Sequence, residues 1–400
     1  MTSSPRFVGL ALVLGLLSAI GPFAIDMYLP ALPLIGQELG ADMRTVQLSL
    51  TAFFIAIGAG QLVYGPVSDM LGRKPALFFG LGLFALASVG CALATDIRVL
   101  VALRFVQGLG AAAGMAVPRA VVRDLHTGVD AARLMSLLML VFSVSPILAP
   151  LAGSAVIAWT GWRAVFWAVA LAAVAGMALM VFALKETRGP EARVQSSLGA
   201  AWRAYAMLLR DRHYLGLVAI GGFGMAGFFT YLANSSFVMI DHYGLTPTQY
   251  SLAFALNAAA FIGAAQLNGL LGRRFGLVPL VRFSAAASAL LLLALLAFFG
   301  AGGDSLAVLI VLFFCASAFM GQVIPTTAVL ALEAHGAIAG TASALMGTLQ
   351  MLGGALAMAV VGLATSSHPL PMVVGMAAGG LLSLLTTWGT LGRRGTAVPA

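Results

Sequence analysis

Long apolar segments separated by short polar breaks run through the whole chain. Each segment has roughly the 20 residues that an α-helix needs to cross a bilayer, and is too long for a barrel strand. The first continues to Leu34 without a convincing cleavage site, so it is interpreted as a retained span and not as a signal peptide. The pattern predicts twelve spans, over residues 7–34, 46–68, 75–95, 99–122, 132–158, 163–184, 215–240, 249–271, 277–300, 305–331, 338–366 and 371–391.

One polar break, from Lys185 to Tyr214, is much longer than the others and separates six predicted spans from six. The sequence therefore predicts an all-α polytopic membrane protein with two six-helix halves. The N-terminal half covers residues 1–186, a cytoplasmic linker covers 187–214, and the C-terminal half covers 215–400.

A short pattern recurs at equivalent junctions of the two halves. A glycine, a charged residue and a second glycine stand at the same spacing after the second and the eighth predicted spans: Gly65, Asp69 and Gly72, then Gly269, Arg273 and Gly276. Two similar halves are typical of transporters that rock about a site near the middle of the membrane.

Composition excludes most other classes of protein. Hydrophobic residues make up 61% of the chain and charged residues only 8%, against roughly a quarter in soluble domains. A soluble enzyme, a disordered chain and a fibrous protein are therefore excluded. In a soluble protein, a net charge of +8 would suggest nucleic-acid binding. Here, however, most basic residues fall in the polar breaks that lie on one side of the membrane in the predicted topology. By the positive-inside rule this side is cytoplasmic, and it includes both termini.

No motif for cofactor chemistry occurs in the sequence. The phosphate-binding pattern G-x-x-x-x-G-K-[ST], the zinc pattern H-E-x-x-H and clusters of Cys and His are all absent, so neither ATP nor a metal is expected. Cys91 and Cys315 lie inside apolar segments and predict no disulfide. The sequence lacks the catalytic residues that a membrane-embedded enzyme would need. We therefore expect no cofactor and no enzyme activity.

The break after the second predicted span, Gly65 to Lys74, reads G-P-V-S-D-M-L-G-R-K. It resembles the signature loop of the major facilitator superfamily, G-x-x-x-D-x-x-G-R-[KR], and stands where that family has it. The alternative is a solvated turn whose charges only set the topology. The resemblance implies that the loop, with Arg123 and Asp124 after the fourth span, gates the cytoplasmic side. The gating residues would be Gly65, Asp69, Gly72, Arg73, Lys74, Arg123 and Asp124.

Charge pairing would give this loop a physical role. We expect Asp69 to accept hydrogen bonds at a helix N-terminus or to pair with a basic residue, and Arg73 or Lys74 to pair with Asp124. Such contacts would form when the cytoplasmic side is closed and break when it opens.

The fifth predicted span combines prolines with small residues. Pro146 and Pro150 remove backbone hydrogen bonds and bend a helix. Ser145, Ala149 and Gly153 recur every four residues and allow close approach of a neighbouring helix. Ordinary packing explains the small residues, but we include both prolines among the gating residues because a bent, smooth helix suits a moving seal.

Seven further segments extend the resemblance to one subfamily of this superfamily. Together they are similar to the Bcr/CflA subfamily of drug:proton antiporters. The chain departs from that subfamily at Ser236 and Thr326, where the subfamily often has Pro and Asn. The matching segments are Asp26–Pro33, Arg104–Gly110, Arg123–Asp124, Ser145–Pro150, Lys185–Thr187, Phe254–Asn257 and Gly340–Ala344. The resemblance implies proton-coupled efflux of bicyclomycin or phenicol antibiotics across the bacterial inner membrane by a monomer. A proton-linked metabolite or sugar transporter, or a non-transporting receptor, remains an alternative.

Asp26 is the acidic residue that lies well inside an apolar segment. A charge there is costly, so a functional role is the default hypothesis. At ~1.5 Å per residue, Asp26 and Arg104 both fall in the outer half of the bilayer, and a pair between them is possible. Two interpretations are open. Asp26 is either a structural acid bound to Arg104 or to backbone amides, or it binds a proton and a substrate group in turn. We favour the second, with Arg104 tuning Asp26 or binding substrate.

A drug cavity needs adaptable apolar walls and a few amides to orient the ligand. Aromatic, methionine and amide residues inside the predicted spans are the candidates, although most aromatics in spans face lipid or other helices. The candidate substrate-binding residues are Tyr28, Phe54, Met139, Phe142, Phe228, Tyr231, Asn234, Asn257, Gln322 and Gln350.

Overall fold

The computed structural model describes residues 5–126, 128–194, 198–364 and 366–392. Within these ranges it does not describe the side chains of residues 5–8, 128–133, 136, 139, 141, 142, 192, 194 and 337. The described chain is helical and has no β-strand. Its α-helices are α1 (Pro5–Asp26), α2 (Leu32–Glu38), α3 (Met43–Leu71), α4 (Arg73–Leu93), α5 (Ile97–Leu125), α6 (Gly128–Thr160), α7 (Arg163–Ala183), α8 (Pro190–Val194), α9 (Leu198–Leu208), α10 (Arg212–Ser236), α11 (Pro247–Gln266), α12 (Asn268–Phe275), α13 (Leu277–Gly300), α14 (Leu306–Glu333), α15 (Ala339–Gly362) and α16 (Pro369–Thr390).

The predicted fold class is confirmed. Within the described ranges, 11 helical segments are long and apolar enough to cross a membrane, and the number is 12 if the pair α11 and α12, bent by 44°, is one broken span. The first span is also interrupted, because α1 ends at Asp26 and a 3-10 turn over Leu29–Ala31 leads into α2. Pro30 and Pro33 lack the backbone N–H that a continuous helix needs. The break places Asp26 at a helix end inside a membrane span.

The chain divides into two compact units, Met1–Arg203 and Ala204–Ala400, and the boundary falls within α9. The predicted linker contains the two short helices α8 and α9. In unit 1, α3, α4 and α5 pack together, and α1 packs on α5, α6 and α7. In unit 2, α10 packs on α14, α15 and α16, and α13 and α14 pack on each other.

Side chains that accept backbone N–H groups start many of the long helices. The first N–H groups of a helix have no partner within it, and an oxygen at the preceding residue supplies one. Asp42 does so for α3, Asp96 for α5, Asp211 for α10, Thr246 for α11 and Ser305 for α14.

Glycines allow close contact between helices in unit 1. A Cβ atom on Gly153 of α6 would collide with the carbonyl oxygen of Met27, and one on Gly110 of α5 would lie 2.6 Å from the carbonyl oxygen of Gly80 on α4. The close packing that small residues predicted on the fifth span is therefore confirmed, and Gly110 shows the same on the fourth. The helix α6 continues through both Pro146 and Pro150.

Candidate functional site

Asp26 is buried where α1 ends. Its side chain is 5% exposed, and the hydroxyl of Ser145 on α6 donates a hydrogen bond to its Oδ2 atom at 3.3 Å. Ser145 can come this close because α6 presents small residues to the end of α1, where Gly153 lies against Met27. Among the described side chains, none forms an ion pair with Asp26.

Arg104 is fully buried on α5 and has partners other than Asp26. Its Nη1 atom donates to the carbonyl oxygen of Ala24 at 3.3 Å and to the side-chain oxygen of Gln107 at 2.6 Å. Gln107 in turn donates to the hydroxyl of Ser88 on α4 at 2.7 Å. The ion pair between Arg104 and Asp26 that their depth made possible is therefore not formed in the structure. A glutamine three residues away on the same helix face holds the guanidinium group instead.

Aromatic rings surround the Arg104 guanidinium. Its central carbon lies 4.0 Å from the centre of the Phe53 ring, 4.5 Å from that of Tyr28 and 5.9 Å from that of Phe166. A cation over aromatic faces is stabilised most when water is excluded, as it is here. The Nε and Nη2 atoms are nevertheless buried without a hydrogen-bond partner, which costs free energy. Arg104 therefore contacts the chain on both sides of Asp26, through Ala24 and Tyr28, and keeps two donors free.

The signature loop forms a charged cluster at one end of unit 1. Arg73, only 4% exposed, donates from Nε to Asp124 at 2.8 Å and from Nη1 to Ser68 at 2.7 Å. Its Nη2 atom pairs with Asp69 at 2.5 Å. The predicted pairings of Asp69 with a basic residue and of Arg73 with Asp124 are confirmed. Lys74 instead donates to the carbonyl oxygen of Val181 at 3.4 Å.

Glu186, far along the chain, binds the start of α4. Its carboxylate accepts the backbone N–H of Arg73 at 2.9 Å, that of Lys74 at 3.0 Å and that of Arg188 at 2.9 Å. Burial alone would raise the pKa of Glu186, but these three hydrogen bonds and the Arg193 guanidinium outweigh it and hold the pKa below its usual value. The glutamate therefore caps α4 as a carboxylate at neutral pH.

Gly72 leaves room for this carboxylate. It joins α3 to α4 with φ +108° and ψ 155°, and a Cβ atom there would lie 2.6 Å from Oε2 of Glu186. Gly276, between α12 and α13, has a similar backbone, with φ +84° and ψ 152°. The repeat found in the sequence thus corresponds to the same turn in both units. Gly65 is helical with open space around its Cβ position, and Arg123 is exposed at the end of α5.

An aromatic and amide cluster occupies the interior of unit 2. Tyr231 is fully buried, its ring centre lies 4.2 Å from that of Phe313 and 5.8 Å from that of Phe254, and its hydroxyl accepts a hydrogen bond from Asn257 at 3.3 Å. The side-chain oxygen of Asn257 is buried without a partner. Phe228 is half-buried, with its ring centre 6.4 Å from that of Tyr231. The structure thus brings three of the candidate residues together.

The other amide candidates have different contacts. Asn234 donates to the carbonyl oxygen of Thr230 one turn earlier, at 2.8 Å. Gln322 donates to the carbonyl oxygen of Ala264, and its own side-chain oxygen is buried without a partner. Gln350 is half-buried, and its amide nitrogen lies 3.1 Å from the Cβ position of Gly221.

Two candidate residues of unit 1 are packed inside it. Tyr28 is fully buried, and its hydroxyl lies 2.8 Å from that of Ser49. Phe54 is 2% exposed. The side chains of Met139 and Phe142 lie outside the described residues.

Comparison with known proteins identifies the family. The Major Facilitator Superfamily family model matches residues 14–358. The chain belongs to the major facilitator superfamily. Members of this superfamily are transporters and not enzymes, so the prediction that the chain is not an enzyme is confirmed.

Several proteins are similar in sequence to this chain over most of its length. The chain is 36% identical over 358 residues to the uncharacterized MFS-type transporter YdgK of Bacillus subtilis, covering 89% of each chain. It is 31% identical over 377 residues to a bicyclomycin resistance protein homolog of Haemophilus influenzae, covering 94% of each. A chloramphenicol resistance protein of Pseudomonas aeruginosa is 33% identical over 269 residues, or 67% of this chain and 62% of that protein. These relatives agree with the predicted resemblance to drug antiporters.

Solved structures share the major facilitator fold. A D-xylose-proton symporter superposes with a TM-score of 0.73 at 16% identity, covering 96% of this chain and 97% of that one. The nucleoside transporter NupG superposes with a TM-score of 0.74 at 13% identity, covering 96% and 98%. At such low identity the likeness concerns the fold alone.

Three residues that bind the site residues of this transporter are not among those predicted from the sequence. Gln107 holds Arg104, Ser145 holds Asp26, and Glu186 caps α4. The spacing of three residues between Arg104 and Gln107 on a helix was the signal for the first. In the sequence, Ser145 stands out only as a small packing residue and Glu186 only as part of the family resemblance. Their partners lie more than a hundred residues away in the sequence.

Gly72→Ala is expected to lower the free energy of unfolding by ~1–3 kcal/mol, because the glycine-only backbone conformation becomes strained. The new methyl group would also push Glu186 away from α4. Gly65→Ala, in the same signature loop, should be neutral or stabilising by ~0.5–1 kcal/mol, because alanine favours a helix. Thermal unfolding of both purified variants measures the difference. Equal melting temperatures for the two variants would contradict this account of the loop.

Proposed function

We propose that the protein is a proton-coupled exporter of small-molecule drugs in the bacterial inner membrane, acting as a monomer with both termini in the cytoplasm. Two of its relatives are named for resistance to bicyclomycin and to chloramphenicol. Basic residues concentrate in the loops that the positive-inside rule assigns to the cytoplasm. The halves 1–186 and 215–400, joined by residues 187–214, would rock to expose a site to each side in turn.

The observation that carries the proposal is the state of Asp26. It is 5% exposed at the broken end of α1, accepts one hydrogen bond from Ser145, and has no cation paired with it among the described side chains. A buried carboxylate without such a cation is costly, whereas a neutral carboxyl is tolerated. Asp26 would therefore bind a proton in one step of the cycle and release it in another.

Arg104 supports this role without carrying the proton, because a guanidinium does not release its proton in proteins. Its free Nε and Nη2 donors lie beside the segment that holds Asp26. Either the deprotonated carboxylate of Asp26 or an acceptor group of a substrate could accept hydrogen bonds from these two donors. Arg104 thus couples the charge of Asp26 to the occupancy of the site.

The candidate substrate-binding residues fall in each unit and are taken unit by unit. In unit 2, Phe228, Tyr231 and Asn257 form one cluster, and the free amide oxygens of Asn257 and Gln322 would accept hydrogen bonds from a drug. Asn234 and Gln350 extend the set. Unit 1 would contribute Tyr28, Phe54, Met139 and Phe142 after rearrangement of the packed interior. Aromatic and methionine walls suit varied apolar substrates.

The charged cluster of the signature loop would act as the gate on the cytoplasmic side. The bonds of Arg73 to Asp69 and Asp124 would hold in one state and break in the other. Gly65, Gly72, Lys74 and Arg123 shape this region, and Pro146 and Pro150 would let α6 bend.

Transport by the purified protein in liposomes tests the proposal. A pH gradient across the membrane should drive bicyclomycin or chloramphenicol against its concentration gradient. A pH difference of about 1.7 units stores ~2.3 kcal/mol per proton, the same as one charge moving through ~100 mV, and this is enough for about a 50-fold drug gradient. In the Arg104→Ala variant, the pH gradient should no longer drive drug against its concentration gradient. Drug movement that ignores the pH gradient would refute proton coupling, and the absence of any drug movement would favour a metabolite or sugar as substrate.

A further inference from the structure

A groove in unit 2 lies among α10, α15 and α16, three helices that are long and apolar enough to cross a membrane. Both α15 and α16 pack closely on α10, but they make few contacts with each other. The gap between them, with α10 as its floor, has a volume of about 550 Å³. Cavities of this size hold small ligands in other proteins. We call this gap the α15–α16 groove.

Glycines determine the shape of the α15–α16 groove. A Cβ atom on Gly379 of α16 would lie 2.7 Å from the backbone nitrogen of Gly227 on α10. One on Gly354 of α15 would collide with the ring of Phe229, also on α10. These contacts fix both outer helices on α10. Gly353, by contrast, lines the groove, and a Cβ atom there would extend into open space. Small residues thus allow tight packing below the groove and leave room within it.

The wall of the groove is apolar. Among the described lining residues, only Thr230 has a polar side chain, and its hydroxyl donates to the carbonyl oxygen of Ala226 at 3.0 Å. The rest of the wall is made of glycine, alanine and larger apolar residues, among them Leu215, Val218, Phe223, Leu349 and Leu356. The groove therefore suits an apolar occupant that makes no hydrogen bonds.

The mouth of the groove faces lipid. Leu356 and Val360 of α15 line it and are 65% and 57% exposed in the complete chain, and Leu382 of α16 is also exposed. Exposed apolar side chains within membrane-spanning helices contact the acyl chains of the bilayer. An unfilled apolar gap would lose dispersion contacts, and water finds no polar partners there. An acyl chain can therefore enter the groove from the side and fill it.

One end of the groove lies close to a positive charge. Leu215 lines the groove, and Arg212 stands one turn earlier on the same face of α10. Arg212 is exposed, and it forms no ion pair with any described residue. The neighbouring Asp211 is engaged elsewhere, because it caps α10 and pairs with His335. In the proposed topology this end of α10 is cytoplasmic, at the level of the anionic headgroups of the inner leaflet.

We propose that the α15–α16 groove binds an anionic phospholipid of the inner leaflet, with one acyl chain in the groove and the phosphate at Arg212. From Leu215 to Thr230 the groove runs ~22 Å along α10. This is more than half of the ~30 Å hydrocarbon core, so three helices surround the chain over most of its length. The lipid would fill the space that α15 and α16 leave between them. The proposal depends on the proposed topology only for the choice of leaflet.

Photolabelling in liposomes tests the proposal without a transport assay. The probe is phosphatidylglycerol with a diazirine on one acyl chain, diluted into phosphatidylcholine, and mass spectrometry maps the labelled residues. Label should concentrate on the residues that line the groove. It should be weaker on α7, whose exposed Leu171 and Phe182 represent ordinary contact with lipid. Excess unlabelled phosphatidylglycerol should remove the label from the groove.

Filling the groove with a side chain should remove the site. Gly353→Leu should lower labelling of the groove by about tenfold or more, because the leucine displaces methylene groups of the bound chain. Gly222→Leu fills the groove from α10 and should act in the same way. Gly82→Leu is the matched control, since Gly82 is also half-buried in a membrane-spanning helix, α4, with open space at its Cβ position. Unchanged labelling of α7 shows that each variant is folded.

The phosphate contact has a test of its own. Arg212→Gln should weaken labelling of the groove by the phosphatidylglycerol probe, whereas Arg274→Gln, which removes another exposed arginine of unit 2, should not. The proposal is overturned if the groove is labelled no more strongly than α7, or if Gly353→Leu or Arg212→Gln is labelled like wild type. Loss of the label on addition of chloramphenicol would also overturn it, because the groove would then be a drug site.

Discussion

Asp26→Asn is expected to abolish drug transport driven by a pH gradient while the protein stays folded. Asparagine has nearly the same shape, and its side-chain oxygen can still accept the hydrogen bond from Ser145. It cannot exchange a proton, so the drug gradient, about 50-fold for a pH difference of about 1.7 units, should fall to none. Flux in liposomes with an imposed pH gradient measures this loss.

Two further measurements make this result specific. Drug exchange at equal concentrations on both sides needs no proton, so Asp26→Asn should retain it. Asp42→Asn is the matched control, because Asp42 is an exposed residue that caps α3 and asparagine caps helices equally well. Gradient-driven transport by Asp26→Asn at the wild-type level would show that the proton is carried elsewhere.

Arg73→Ala is expected to lower the free energy of unfolding by ~3 kcal/mol, the largest effect on stability predicted for the signature loop. The guanidinium lies between Asp69 and Asp124 and also bonds Ser68. Its removal leaves the two carboxylates without the cation that hydrogen-bonds them, and Arg123 interacts with them only electrostatically. Asp69 is 39% exposed, so water compensates for part of its loss, and most of the effect comes from Asp124 and Ser68.

Thermal unfolding provides the measurement for Arg73→Ala. At ~2–4 °C per kcal/mol for a unit of this size, the melting temperature should fall by ~6–12 °C. Lys74→Ala is the control, since Lys74 is the neighbouring cation and, within the described part of the chain, its side chain donates only one long hydrogen bond, to Val181. Arg73→Lys should fall between them, because an ammonium cannot reproduce the forked contacts of Arg73. A similar loss in Lys74→Ala would mean that net charge, and not the buried cluster, matters here.

Much of the architecture could be predicted from the sequence because its causes are local. A run of some 20 apolar residues is long enough to span a bilayer wherever it occurs. The signature loop could be identified because the motif that it resembles is a run of neighbouring residues, and the pair of Asp69 with Arg73 that the structure shows is also local, four residues apart. The eighth span is a partial exception to this predictability. It breaks between α11 and α12, and no proline at the break indicates this in the sequence.

The contacts of the buried charged residues could not be predicted in the same way. Depth along a span suggested that Arg104 pairs with Asp26, but depth does not fix the direction of a side chain around the helix. The structure directs Arg104 toward Gln107 and the rings of Phe53 and Tyr28. Distance in sequence likewise concealed the bond from Ser145 to Asp26 and the capping of α4 by Glu186.

The sequence by itself determined the helices, their approximate limits, the division into two similar halves and the family, because length, apolarity and local motifs are properties of the chain. Only the tertiary structure decided which side of each helix faces its neighbours. In a soluble helix the apolar stripe marks the buried side. In a membrane the lipid is as apolar as the protein interior, so the pattern along the chain carries little information about which aromatic and amide residues turn inward.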